Sequence, residues 1–204
     1  MKQLTYYDPA ICVLGLSPAG LSLARKFSER YRTIGYDPDS SRIDELMNGH
    51  EVNGFTCTSD LEAIRHCNFY VVVAPPSRGV NIQSVAESLQ EVSRLAGKVI
   101  SCGDFLVYDA SLRSLALENK YLPIVENESG LNSGKQFFVG HSFEKRNILG
   151  KKKRIISAST PEIQSIIEEI YAIAISRTKV SPHPEEAQRR HSIPTFMQQF
   201  SPAR

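Results

Sequence analysis

The chain is sparing in the features that would assign it to a special class. It has four cysteines in 204 residues, Cys12, Cys57, Cys67 and Cys102, and their spacing pairs none of them. That pattern excludes a disulfide framework and a CxxC metal or redox motif, and it predicts buried free thiols in a reducing compartment. No apolar run approaches the roughly 18 residues of a membrane span, and the polar and aromatic opening, Met1 to Asp8, predicts no signal peptide. A cytoplasmic protein without a membrane partner is expected. The net charge of +2 argues against bulk attraction to nucleic acid. No internal repeat or low-complexity tract interrupts the chain. Its length allows one sizeable domain, or one domain and a fragment.

The charge is uneven. Residues 1–144 carry 13 basic and 17 acidic residues, whereas 145–204 carry 11 and 5. The basic cluster, Lys145-Arg146 and Lys151 to Arg154, lacks interleaved aromatics and reads as a solvated loop rather than a nucleic-acid contact. From Val180 to Arg204 the prolines 182, 184, 194 and 202 accompany His183, Arg189, Arg190 and His191. That composition predicts a division into a domain at 1–179 and a Pro-rich basic tail at 180–204.

Within the domain, short apolar runs alternate with helical patterns. Ala10–Leu14, Thr33–Tyr36 and Phe69–Ala74 read as strands. Leu21–Arg30, Ser40–Asn48 and Ile82–Leu95 read as amphipathic helices, and Asp60–Ile64 as a short capped one. Further on, Lys98–Cys102, Phe105–Tyr108, Tyr121–Val125, Phe137–Val139 and Arg154–Ser157 are strand candidates. Leu112–Asn119 and Ile163–Ile175 are helical. Continuously apolar strands alternating with helices predict an α/β fold of the Rossmann type: a doubly wound, mainly parallel sheet with helices on both faces.

The most telling segment joins the first strand to the first helix: Gly15-Leu16-Ser17-Pro18-Ala19-Gly20. In the dinucleotide turn the first glycine allows a tight bend, the second lets backbone approach a pyrophosphate, and the third packs helix against strand. Gly15 and Gly20 fill the first and third places, and Ser17 stands at the second. A serine adds a β-carbon but also a hydroxyl that can donate, and Pro18 suits a helix's first turn. Asp37, seventeen residues after Gly20, closes the next strand. A carboxylate there accepts ribose hydroxyls of NAD and repels the 2′-phosphate of NADP.

Over about residues 10 to 175 the chain resembles the UDP-glucose/GDP-mannose 6-dehydrogenases, nearest the bacterial UDP-N-acetylhexosamine branch of surface-polysaccharide synthesis. The likeness is carried by Ile34-Gly35-Tyr36-Asp37 with Ser41-Arg42-Ile43, Thr58-Ser59-Asp60-Leu61, Cys67-Asn68-Phe69-Tyr70, Glu128 to Asn132, Phe137 to Glu144 and Ser157 to Ile163. It implies an NAD site built from Gly15, Leu16, Ser17, Pro18, Ala19, Gly20, Asp37, Arg42, Ala74, Pro75 and Ser111, with Arg42 beside the adenosine ribose. It also implies oxidation of a sugar alcohol to a carboxylate through a cysteine-bound intermediate.

At the family's chemical positions this chain differs. The motif Val-Pro-Thr-Pro becomes Ala74-Pro75-Pro76-Ser77, and Glu-Ser-Thr becomes Asp109-Ala110-Ser111, where Ser111 keeps a hydroxyl. Ser-Pro-Glu-Arg becomes Ser142-Phe143-Glu144-Lys145, which leaves Glu144 as a remnant acid/base group. The Glu-Ala-Ala-Lys helix aligns with Glu185 to Gln188 and puts Gln188 at the lysine. His141 replaces a usual tyrosine, and packing is its commoner role. None of the four cysteines matches the nucleophile, whose segment falls beyond residue 204. Cys102 reads as a core thiol. The expected object is an NAD-binding domain protein unable to oxidise UDP-sugars alone. The alternatives are a non-catalytic regulatory protein reusing the fold, and one half of a split enzyme. The partners implied are NAD and a full-length dehydrogenase or another protein. No metal is implied, since neither His66-Cys67 nor His183 with His191 has ligand geometry.

Overall fold

The computed structural model describes residues 8–49, 54–74, 82–109, 120–146 and 152–175. Seven strands form a single sheet among them: β1 (Ala10–Leu14), β2 (Arg32–Tyr36), β3 (Thr56–Thr58), β4 (Phe69–Val73), β5 (Phe105–Asp109), β6 (Phe138–Arg146) and β7 (Lys152–Ala158). The order is β3-β2-β1-β4-β5-β6-β7. All neighbours are parallel except β6 and β7, which are antiparallel. The helices are α1 (Pro18–Ser28), α2 (Ser40–Asn48), α3 (Ile82–Val99), α4 (Leu122–Ser129) and α5 (Pro161–Ile175), with a 3-10 turn at Glu62–Ile64. The chain reverses direction across the sheet between β1 and β4, where open α/β sheets present a crevice at their carboxyl ends.

Alternation along the strands divides the core in two. Cys12, Leu14, Tyr70, Val72, Leu106 and Tyr108 face a layer that includes Val85, Leu89, Ala96 and Val99 of α3 and Val125 of α4. Ile11, Val13, Phe69, Val71, Phe105 and Val107 face Leu23, Ala24 and Phe27 of α1 and Ile163, Ile167 and Tyr171 of α5. Both faces of the central strands are therefore dry, which is why their sequences are apolar without a polar alternation. Aromatic rings bind the second layer together. Phe27 meets Tyr171 edge-on at 5.1 Å, and Phe105 lies between Phe69 at 5.7 Å and Phe138 at 5.3 Å.

The doubly wound α/β architecture agrees with the sequence reading, but two proposed strands are helical. Lys98 and Val99 belong to the last turn of α3, where Val99 continues the buried face of Leu89 and Ala96. Only Ile100 to Asp104 turn towards β5, with Asp104 accepting the Ser101 N–H at 2.7 Å. Tyr121 to Val125 opens α4 rather than forming a strand. Pro123 sits in its first turn, a place proline tolerates, and Gly130 ends the helix at φ 71° in the left-handed conformation. Val125 then packs on α3 at Gly97, so tertiary contact outweighs the β-preference of Ile124 and Val125. Other ends shift by a few residues, with α1 starting at Pro18 and α3 running on to Val99, whereas β6 runs well beyond the proposed Phe137–Val139, to Arg146. The proposed helix at Leu112–Asn119 and the tail at 180–204 lie outside the described residues.

Candidate functional site: the β1–α1 turn and the carboxyl edge of the sheet

The first glycine of the turn has φ 97°, a conformation that L side chains rarely adopt, and a β-carbon there would come within 3.0 Å of the Val73 carbonyl. Gly15 N–H donates to the Tyr36 carbonyl at 2.9 Å, which joins the turn to the end of β2. The third glycine is required by packing. A β-carbon on Gly20 would lie 2.0 Å from the Gly15 carbonyl oxygen. Gly15 and Gly20 thus hold the turn against the start of α1 as the fingerprint demands.

Asp37 is brought to the same turn. Its Oδ2 accepts the Leu16 N–H at 3.0 Å, and its Oδ1 accepts the Asp39 N–H at 3.2 Å. Its own N–H donates to the Thr58 carbonyl at 3.2 Å, so three segments meet on one aspartate. Leu16, between the two, is fully buried against Ile43, Leu46 and Cys57. It also covers Gly35, where a β-carbon would lie 2.7 Å from the leucine Cδ2. This closing role of Leu16 and the bare backbone at Gly35 gave no separate signal in the sequence beyond a hydrophobic residue and a strand glycine.

Ser17 is the N-cap of α1. Its Oγ accepts the Gly20 N–H at 3.4 Å, while Pro18 occupies the first helical position and Ala19 is exposed beside it. Arg42 lies on α2, which Asp39 caps by accepting the Ser41 N–H at 3.0 Å. The Arg42 guanidinium reaches Glu45 at 3.4 Å on the same helix. Ala74 follows β4, half-buried, and its N–H donates to the Asp109 carbonyl at 3.2 Å. Gly15 to Gly20, Asp37 and Ala74 are therefore clustered at the carboxyl edge of β1, β2 and β4. Pro75, Pro76, Ser111 and Gln188 lie outside the described residues. Glu144 is exposed on β6, in register opposite Arg154 of β7.

A buried polar cluster missed by the sequence reading lies at the end of β5 and the middle of β6. Arg154 Nη1 forms an ion pair with Asp109 Oδ2 and donates to Ser142 Oγ at 2.8 Å. Ser142 in turn donates to Asp109 at 3.2 Å. The Arg154 guanidinium also lies 5.4 Å above the ring of Tyr171. Burial pushes the Asp109 carboxyl above its usual range, even though Arg154, Ser142 and Tyr171 pull it down. Tyr171, wholly buried, is pushed far up by desolvation and by the Asp109 charge. Its hydroxyl lies near enough to Asp109 for each to influence the other's titration, yet it makes no hydrogen bond of ordinary geometry. Arg154 closes the basic cluster read as a solvated loop and also heads the Arg154–Ser157 strand candidate. The strand reading agrees with β7, but the side chain turns inward rather than to solvent, because Asp109 of β5 and Ser142 of β6 offer it a carboxylate and a hydroxyl. The only sequence signal was an Asp at a strand end and an Arg at the head of another strand.

The thiols are structural. Cys12, Cys57 and Cys67 are buried and Cys102 partly so, all unbridged. Burial and contact with Cys67 raise the Cys12 thiol well above its ordinary value, and burial also raises Cys57. Such thiols are poor nucleophiles. His141 is buried and stacks on Tyr108 at 6.1 Å, borders a concavity of about 250 Å³ between α4, β6 and β7, and is remote in the sheet from β1. Among the described residues no group of His, Cys, Asp and Glu forms a metal site, and no helix is long and apolar enough to cross a membrane.

Comparison with known proteins bears on this site. No family model matches the chain. It is 33% identical over 184 residues to a UDP-N-acetyl-D-glucosamine 6-dehydrogenase of Salmonella typhi, covering 81% of this chain and 43% of that protein. A UDP-N-acetyl-D-glucosamine 6-dehydrogenase of Pseudomonas aeruginosa is 30% identical over 182 residues, with 80% and 43% covered. Among solved structures, a UDP-D-ManNAc dehydrogenase from Pyrococcus horikoshii superposes with a TM-score of 0.64 at 21% identity, covering 83% of this chain and 45% of that one, which supports the fold. The chain spans 43% of the length of these curated relatives. It resembles, over most of its own length, the N-terminal portion of the nucleotide-sugar dehydrogenases.

Proposed function

We propose that the chain binds NAD⁺ at the Gly15–Gly20 turn and is the nucleotide-binding part of a nucleotide-sugar dehydrogenase system, without oxidising a UDP-sugar by its own residues. The observation that carries this reading is the meeting of Asp37 with the glycine turn: its carboxylate is held 3.0 Å from the Leu16 N–H, at the carboxyl edge of the sheet. The residues fit the cofactor. The two glycines let the turn close tightly against β4 and the start of α1, and the carboxylate beside it suits ribose hydroxyls while disfavouring a 2′-phosphate. NAD⁺ supplies a hydride acceptor when bound. This chain's part is to hold the adenosine diphosphate moiety and set its orientation.

The inability to oxidise sugar alone rests on the described side chains. Glu144 is solvent-exposed on β6, and Cys12, Cys57 and Cys67 are buried. No thiol among these three is placed to hold an aldehyde-level intermediate.

Calorimetric titration of the full chain with NAD⁺ tests the binding. Saturable heat with a rise in unfolding temperature is expected, and stronger for NAD⁺ than for NADP⁺. No heat and no thermal shift at millimolar NAD⁺ overturns the reading. Incubation with UDP-N-acetylhexosamine and NAD⁺ is expected to give no NADH absorbance, and steady turnover would refute the second half of the proposal.

A further inference from the structure

The opening turn of α1 spends most of its own donors. A helix N-terminus binds a phosphate through the backbone N–H groups of its first turn, which have no partner inside the helix. Here those groups are already depleted. Pro18 at the first helical position has no N–H at all. Gly20, at the third, directs its N–H to the hydroxyl of Ser17 at 3.4 Å. Leu21 N–H is engaged with the Ser17 carbonyl at 2.9 Å, as the first regular helical bond. Ala19 contributes the remaining N–H of the opening turn, on an exposed residue. The β-carbon of Ser17 also stands at the place where the fingerprint has a bare glycine.

We propose that Ser17 and Pro18 make this a self-capped turn, in which the chain's own hydroxyl competes with a dinucleotide's pyrophosphate and proline removes a second donor. They are the residues that set its cofactor affinity. Recognition then leans on the ribose side, where Asp37 is fixed by Leu16 and Asp39. This inference rests on the proposal that NAD⁺ binds at this turn, but it makes a separate claim: the pyrophosphate half of the site is weakened from within, and single substitutions reverse that. The long Gly20–Ser17 contact suits such competition, because a neutral bond at 3.4 Å is weaker than the charge-assisted bond a phosphate would offer the same N–H.

The test uses the full chain, with Ser17→Gly and Pro18→Ala made singly and together. Ser17→Gly frees the Gly20 N–H and removes the β-carbon, while Pro18→Ala restores an N–H at an exposed position that any helix former accepts. NAD⁺ affinity by calorimetry is read beside thermal unfolding without ligand. Each single variant is expected to bind NAD⁺ about tenfold more tightly, as one added charge-assisted hydrogen bond implies. Ser17→Gly alone is expected to be equally or slightly less stable when unliganded, because the cap is lost. A gain in affinity that accompanies a gain in unliganded stability in both variants would assign the effect to general stabilisation and overturn the proposal. So would affinities within twofold of the parent chain. Weaker binding in Ser17→Gly would show that the hydroxyl donates to phosphate instead of competing with it. A parent chain that does not bind, alongside variants that do, upholds the self-capped turn while refuting the proposed function. No binding by any of the four proteins overturns both.

Discussion

At the scale of single residues, bare backbone and buried hydroxyls decide what can be changed. Gly20 is the sharpest case, because the atom an added methyl would strike is the Gly15 carbonyl oxygen, 2.0 Å from the ideal β-carbon position. Neither partner is a flexible side-chain end, so the turn itself must move. Gly20→Ala is therefore expected to lose about 2–3 kcal/mol of stability by urea denaturation, in spite of alanine's better helix propensity. An unchanged or higher urea midpoint would mean that the turn opens easily, contrary to the contact. Tyr108 offers a second case. Its hydroxyl lies 3.0 Å from Ser93 Oγ, with both residues buried, and burial pushes it up to about 12. Tyr108→Phe leaves the serine hydroxyl without this partner in an apolar layer and is expected to cost roughly 1–2 kcal/mol. Ser93→Ala combined with Tyr108→Phe should recover part of that loss in the same denaturation measurement, since both polar groups are then gone. A double variant no better than the single one would show that the pair is not coupled.

Between elements, the contact of α3 with α4 shows why some of the fold was legible in the sequence and some was not. The apolar periods of β1, α1, β2, α2 and β4 are unbroken, and each is bounded by a capping residue or a turn. Their elements emerge within a few residues of where the pattern puts them. Asp37 and the two glycines were legible for the same reason: local spacing places them. Tyr121 to Val125 misleads because a short β-prone run cannot reveal that it will be packed on a neighbouring helix. Arg154 misleads because its partner Asp109 is 45 residues away, and charge clustering points to solvent rather than to a buried ion pair. The α3–α4 contact can be probed at Gly97, whose added β-carbon would sit 2.6 Å from Glu128 Cβ and 3.0 Å from the Val125 carbonyl. Helix propensity favours alanine over glycine by about 1 kcal/mol, whereas overpacking against a backbone carbonyl costs about 1–3 kcal/mol. Gly97→Ala is expected to be destabilised by a net of roughly 0–2 kcal/mol. A stabilised variant would show that α4 yields to α3 at small cost.

Across the whole molecule, the cluster of Asp109, Ser142 and Arg154 joins the antiparallel edge strand to the parallel sheet and lies under α5 through Tyr171. Two forces oppose one another at Asp109: burial, which disfavours its charge, and Arg154, which favours it. Burial is the larger, and the carboxyl titrates above its ordinary range in the folded protein. The sign of the consequence follows from proton linkage. The folded state holds this proton to a higher pH than the unfolded state does, so the group's stabilising contribution is complete below the unfolded value of about 4 and declines as pH rises through the folded value. Asp109→Asn fixes a neutral side chain of nearly the same shape. The stability of the parent chain minus that of the variant, from urea denaturation at successive pH values, is therefore expected to be highest in acid and to fall as pH rises through that window. Above the window it should level off, because Asp109 is then ionised in both states. A difference that rises with pH would mean that Arg154 outweighs burial and that the ion pair, rather than the dry surroundings, sets the charge at this joint. Arg154→Met separates the two forces further. Removing the guanidinium leaves burial opposed only by the Ser142 and Tyr171 hydroxyls, so the decline should extend to higher pH and the neutral-pH stability should fall by about 3–5 kcal/mol, as expected when a buried charge loses its partner.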